Sequence, residues 1–207
     1  MLIIIDYGMG NLRNVYMAFQ RLGVKAQISA EPAAIRQASA LVFPGVGAFG
    51  DAMDNLRTLG LAREITAAIE RGVPFLGICL GLQLLMEASE EMGEHRGLGI
   101  IPGKVRRFPE GLTVPHMGWN QVHQVRDIPL WRGLPNDSYA YFVHSYYVDP
   151  RDPSVVAAVT EYGITFTSAV AQGNVYGIQF HPEKSQDVGE CILRNFCLEA
   201  GLLKEGE

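Results

Sequence analysis

Apolar residues recur along the chain with two different spacings, and the change between them divides it near the middle. Leu2–Ile5 is a continuous apolar run, the pattern of a strand in a parallel sheet covered on both faces. Val15, Ala18, Phe19 and Leu22 then fall on one side of a helix, with Asn11 as its candidate N-cap and Gly23 as its stop. Val24–Ile28 and Ala40–Phe43 read as the next strands, the latter running into Pro44–Gly47. Leu61, Ile65, Ala68 and Ile69 make the apolar stripe of a further helix that exits at Gly72. Val73–Ile78 is the fourth strand, and the spacing predicts a helix after Cys79 that carries Leu84 and Leu85.

From Gly97 onward the pattern shortens to strands separated by turn residues. Val105–Phe108, Val122–Val125, Ala140–Val148, Val155–Val159, Thr165–Ala171 and Val175–Phe180 are the candidates. The last two, joined by Gln172-Gly173-Asn174, read as a hairpin. A closing helix carries Val188, Ile192 and Phe196. The expected fold is α/β: a doubly wound, mainly parallel sheet with an antiparallel extension, in a single domain over residues 1–207.

Composition narrows the setting. The 207 residues show no linker and no fixed-period repeat, and at this length a domain buries roughly 70% of its unfolded surface. A net charge of −5 without a basic stripe argues against nucleic acid as a partner. No apolar run approaches the ~20 residues of a membrane span, and the N-terminal run lacks the basic flank of a signal peptide. Three cysteines, Cys79, Cys191 and Cys197, have neither a CxxC pair nor zinc spacing, which fits free thiols in a reducing cytoplasm and predicts no metal.

The chemistry concentrates at Gly77-Ile78-Cys79-Leu80-Gly81. A cysteine between apolar neighbours is ordinarily a small core residue. Here it stands between two glycines where a strand meets a helix, the frame of a nucleophile elbow, and a following helix would favour the thiolate. Cys191 and Cys197 lack that frame and read as packing residues. A nucleophilic cysteine needs a base. Of the five histidines, His181 stands at the end of an apolar strand, followed by Pro182 and by Glu183, which can orient the ring. The backbone N–H of Leu80 is one candidate oxyanion donor, and that of Val46, between Gly45 and Gly47, is the second. The same glycine-rich loop lacks the Lys-Ser/Thr ending that phosphate binding by a P-loop needs.

On these residues, and on the stretches Asp6–Arg13, Pro44–Gly50, Gly77–Gln83, Pro115–Asn120, Tyr141–Tyr146 and Gln179–Ser185, the chain resembles the class I (triad) glutamine amidotransferases over nearly its whole length. It looks most like the branch that serves histidine biosynthesis as a glutaminase subunit. The resemblance implies a Cys79–His181–Glu183 triad that hydrolyses glutamine without a cofactor. It also implies that Gly45, Gly47, Gln83, Glu91, His144, Ser145 and Tyr146 surround the substrate. Trp119, Tyr141 and Lys184 match positions at the junction with a (β/α)8-barrel cyclase subunit, the implied partner in a heterodimer. That partner would receive the ammonia and raise the glutaminase rate. Without the resemblance, Gln83 and Glu91 read as ordinary helix residues, and Met117-Gly118-Trp119 stands open between core and a contact surface. A free-standing cysteine γ-glutamyl hydrolase or peptidase is the competing enzyme class. A scaffold without activity is disfavoured by the complete triad.

Overall fold

The computed structural model describes residues 1–204; the last three residues of the expected domain lie outside the described residues. The first half contains the elements its spacing predicts and two further helices, α2 and α3: β1 (Leu2–Ile5), α1 (Leu12–Arg21), β2 (Ala26–Ser29), α2 (Pro32–Arg36), β3 (Ala40–Gly45), α3 (Phe49–Thr58), α4 (Leu61–Glu70) and β4 (Phe75–Cys79). Then come α5 (Leu80–Gln83), β5 (Met86–Ser89), β6 (His95–Arg96), β7 (Ile101–Arg107), β8 (His116–Gln124), β9 (Ser138–His144) and β10 (Tyr146–Pro150). β11 (Val156–Glu161), β12 (Thr165–Gln172), β13 (Val175–Ile178) and α6 (Gln186–Glu199) complete the described chain.

The strands form one mixed sheet in the order β2-β1-β3-β4-β13-β12-β10-β7-β5-β6, with β11, β8 and β9 branching from it. Its β2-β1-β3-β4-β13 half is parallel throughout. From β13 to β12 the direction reverses, and β12, β10 and β7 continue antiparallel. β1 shows why both faces are covered. Leu2 and Ile4 enter a core with Val15, Phe19, Ile192 and Phe196 of α1 and α6. Ile3 and Ile5 enter the opposite core, with Met53, Leu56, Leu61 and Ile65 of α3 and α4. Both faces of the strand are therefore apolar, and period-two alternation is absent from it.

Several boundaries differ from the sequence reading. β2 begins two residues later than expected. The helix expected after Cys79 is a single turn, because Leu85 already pairs with the Leu82 carbonyl and the chain turns into β5. The expected strand Ala140–Val148 is two strands, β9 and β10, broken at Ser145. Asn11 sits at the start of α1 but its side chain makes no capping bond. The β12–β13 hairpin holds as expected, with Gln172 opposite Val175. No helix among the described residues is long and apolar enough to cross a membrane.

Candidate active site

Three neighbouring parallel strands, β3, β4 and β13, end on one side of the sheet, where sites gather in open α/β folds. Val46 and Gly47 follow β3, Cys79 ends β4, and His181 lies just past β13. They meet in a cavity of about 300 Å³ lined also by Leu80, Gln83, Glu91, Val143, Ser145, Tyr146 and Lys184.

Cys79 holds φ 55° and ψ −109°, a conformation costly for a side chain with Cβ and retained where the surroundings enforce it. The enforcement comes from the two glycines. A Cβ on Gly77 would stand 2.6 Å from the Gly81 carbonyl oxygen, and one on Gly81 would stand 1.8 Å from that of Phe43. Only glycine allows the elbow to fold this tightly against β3. The thiol lies 3.8 Å from the Val143 carbonyl oxygen and takes an amide N–H from Gln179 Nε2 at 3.6 Å.

His181 is oriented at three points. Its backbone N–H donates to the Tyr141 carbonyl at 2.9 Å, its Nδ1 lies 2.9 Å from Glu183 Oε1, and the remaining nitrogen is left for Cys79. Burial disfavours the imidazolium, but hydrogen bonds to Cys79 and Glu183, and their negative charge, outweigh it and carry the pKa up to about 10. The Glu183 side chain is 2% exposed, so its charge acts through little water. A thiol, an imidazole and a carboxylate thus stand in the order that acyl-transfer chemistry uses.

Around this core, Gln83 Nε2 donates to the Tyr146 carbonyl at 3.0 Å and to Gln179 Oε1 at 3.3 Å. Glu91 lies in a turn after β5, not in a helix, and its carboxylate takes the backbone N–H of Phe49 at the start of α3, at 2.8 Å. Ser145 and Tyr146 line the cavity at the break between β9 and β10. Two expected site residues do not line it. Gly45 is buried against the Tyr7 hydroxyl and Leu80, and His144 packs in an aromatic cluster with Phe108, Phe142 and Phe166. Trp119 is 47% exposed and stands edge-on to Tyr141, whose ring lies under the Lys184 ammonium at 5.7 Å. Met117 and Trp119 are therefore surface, not core.

Sequence reasoning passed over Gln179 and Tyr7. Gln179 alternates with apolar neighbours in a strand-like run and signals nothing until it is seen to bridge Gln83 and Cys79. Tyr7 is fully buried, and its hydroxyl has no partner among the described residues. Burial first, then the charge of Cys79, holds that phenol well above its usual pKa.

A cysteine elbow, a strand-end histidine with its carboxylate and a cavity of about 300 Å³ make the constellation of a cysteine-dependent acyl-transfer class. The family model for class-I glutamine amidotransferases matches residues 3–200. Solved structures share the fold. A glutamine amidotransferase crystal structure superposes with TM-score 0.76 at 23% identity, covering 96% of this chain and 98% of that one. PurLQS from Thermotoga maritima superposes with TM-score 0.78 at 18% identity, covering 96% and 97%. Sequence relatives narrow the match. The HisH subunit of imidazole glycerol phosphate synthase from Syntrophotalea carbinolica is 56% identical over 95% of this chain and 98% of its own length. That of Moorella thermoacetica is 53% identical over 93% and 92%. The chain belongs to the class-I glutamine amidotransferase family, in its HisH branch.

Proposed function

We propose that this chain is the glutaminase subunit of an imidazole glycerol phosphate synthase, acting as one domain in the cytoplasm. The observation that carries the reading is the convergence of Cys79, His181 and Glu183 at the ends of adjacent strands, with His181 fixed by the 2.9 Å bond to Glu183. The Cys79 sulfur attacks the side-chain amide carbon of glutamine. Oxygen charge builds toward the N–H groups of Leu80 and Val46, and His181 passes a proton to the departing ammonia. Water, deprotonated by His181, then opens the γ-glutamyl thioester and frees glutamate and the thiol. Gln83, Glu91, Ser145 and Tyr146, with Gly47 beside them, hold the amino and carboxylate ends.

Ammonia leaves past Tyr141 and Lys184 into a (β/α)8-barrel cyclase subunit docked on the exposed face with Trp119. There it reacts with a phosphoribulosyl-formimino nucleotide to give imidazole glycerol phosphate and an aminoimidazole carboxamide nucleotide. Partner binding raises the glutaminase rate by favouring the Val46 peptide orientation that aims its N–H at the oxyanion. Val46→Pro removes that N–H; a partner-activated rate about 10²–10³-fold below wild type is expected, and full activity would sink the switch. The function itself is tested by glutamate release from glutamine with and without the cyclase and its nucleotide. Strong activation supports the reading, whereas high activity alone favours a free-standing hydrolase.

A further inference from the structure

Strand β8 faces two environments. Met117 and Trp119 stand exposed, while His116, Asn120 and Val122 alternate with exposed neighbours and turn toward the body of the protein. The His116 ring stacks on Phe142 at 5.0 Å and on Tyr162 at 4.0 Å, and both of its nitrogens are engaged. Nδ1 lies 2.9 Å from His144 Nε2, and Nε2 lies 3.2 Å from Asn120 Nδ2. His144 Nδ1 lies 2.8 Å from the Tyr146 carbonyl oxygen, the same oxygen that receives Gln83 Nε2.

Only one arrangement of protons satisfies this chain. A carbonyl can only accept, so His144 carries its proton on Nδ1, and its neutral Nε2 is an acceptor. His116 must then donate from Nδ1 and accept at Nε2. Asn120 is oriented to supply that last donor, because its Oδ1 accepts from the Gln121 N–H at 2.8 Å and its Nδ2 also reaches the Glu161 carbonyl at 2.9 Å. Backbone groups therefore fix both ends. Burial keeps both rings neutral, moving His116 down to about 4 and His144 to about 3.

We infer that His116 and His144 are positioning residues: their one-directional hydrogen-bond chain holds the Ser145–Tyr146 turn in the shape that receives the carboxylate of glutamine. The inference rests on the glutaminase reading above and extends it. It gives the inward face of β8 a task in substrate binding while its outward face carries Trp119.

The test compares His116→Phe with His116→Asn in the holoenzyme. Phenylalanine keeps the stacking and loses both nitrogens, whereas the asparagine amide restores a donor where Nδ1 stands. Loss of one neutral hydrogen bond corresponds to about a tenfold change. For His116→Phe, KM for glutamine should rise about tenfold with kcat within about threefold, and His116→Asn should recover most of it. Turnover of 4-aminobutanamide, which lacks the α-carboxylate, should be equal in wild type and both variants. An unchanged KM in folded His116→Phe, or no recovery in His116→Asn, would overturn the relay alone. Wild-type holoenzyme inert toward glutamine would overturn the glutaminase reading with it. Should His116→Phe not fold, nitrogen NMR of the wild type decides: both rings are expected as Nδ1–H tautomers, and an Nε2–H proton on His144 refutes the chain.

Discussion

Replacing Gly81 by alanine tests whether the elbow depends on the close approach of two backbones. The added Cβ would lie 1.8 Å from the Phe43 carbonyl oxygen and 2.9 Å from its carbon, whereas real Cβ contacts are essentially never shorter than 3.0 Å. The parts must separate by 3.0 − 1.8 = 1.2 Å, and no side-chain rotation relieves a collision with backbone. That displacement acts on the pairing of Phe43 with Gly77 and of Gly45 with Cys79. Overpacking costs about 1–3 kcal/mol, and a rigid backbone obstacle belongs at the upper end. At roughly 2–4 °C per kcal/mol for a domain of this size, Tm should fall by about 6–12 °C. The Leu80 N–H moves with the turn, so glutaminase kcat should drop about 10²–10³-fold if that donor is lost. Calorimetry and initial rates of glutamate release measure the two effects. Gly173→Ala is the control, since its Cβ meets nothing within 4 Å and only the left-handed φ of 57° opposes it. A Gly81→Ala protein that melts within about 2 °C of wild type and keeps its rate would refute the argument.

Other expectations follow from the same geometry. Glu183→Gln leaves the 2.9 Å contact possible but removes the buried charge, so kcat should fall at least about 100-fold. NMR titration of His181 in that variant should give a pKa below the wild-type value, since one group that raises it is neutralised. The buried neutral rings of His116 and His144 have pKa values near 4 and 3, against 6.5 when free. The unfolded chain therefore binds protons first. Their stabilisation is complete above pH 6.5 and is lost as pH falls through the folded values, so Tm should decline across that window and less steeply in His116→Phe. Trp119→Ala should weaken cyclase binding in titration calorimetry while leaving the isolated chain's Tm within about 2 °C, because the ring is half-exposed.

The parallel half of the fold was legible because β1, β3, β4 and β13 are buried on both faces and its helices carry clear stripes. The antiparallel half was less so. In β8 the inward positions are filled by His116 and Asn120, so the alternation there is one of burial and not of hydropathy. The meeting of Cys79, His181 and Glu183 could be anticipated because a cysteine between glycines and a histidine before proline are local signals. His144 and Gly45 were assigned to the cavity by resemblance; in the fold one packs among Phe108, Phe142 and Phe166, and the other lies against the Tyr7 hydroxyl and Leu80. Gln179 and Tyr7 gave no signal, since their meaning lies in atoms distant along the chain.

Tyr141 belongs to the exposed β8–β9 surface through its ring and to the active site through its main chain. Its N–H takes Ser185 Oγ at 3.0 Å as acceptor, its carbonyl receives the His181 N–H at 2.9 Å, and Ser185 Oγ closes the loop onto the His181 carbonyl. Tyr141's share of the bracket that carries the imidazole is main-chain N–H and carbonyl, atoms every residue but proline possesses; the hydroxyl comes from Ser185. Side chains on that surface can thus drift to suit a changing neighbour while the imidazole keeps its seat, and a neighbour that bends the strand moves the imidazole whatever the side chains are.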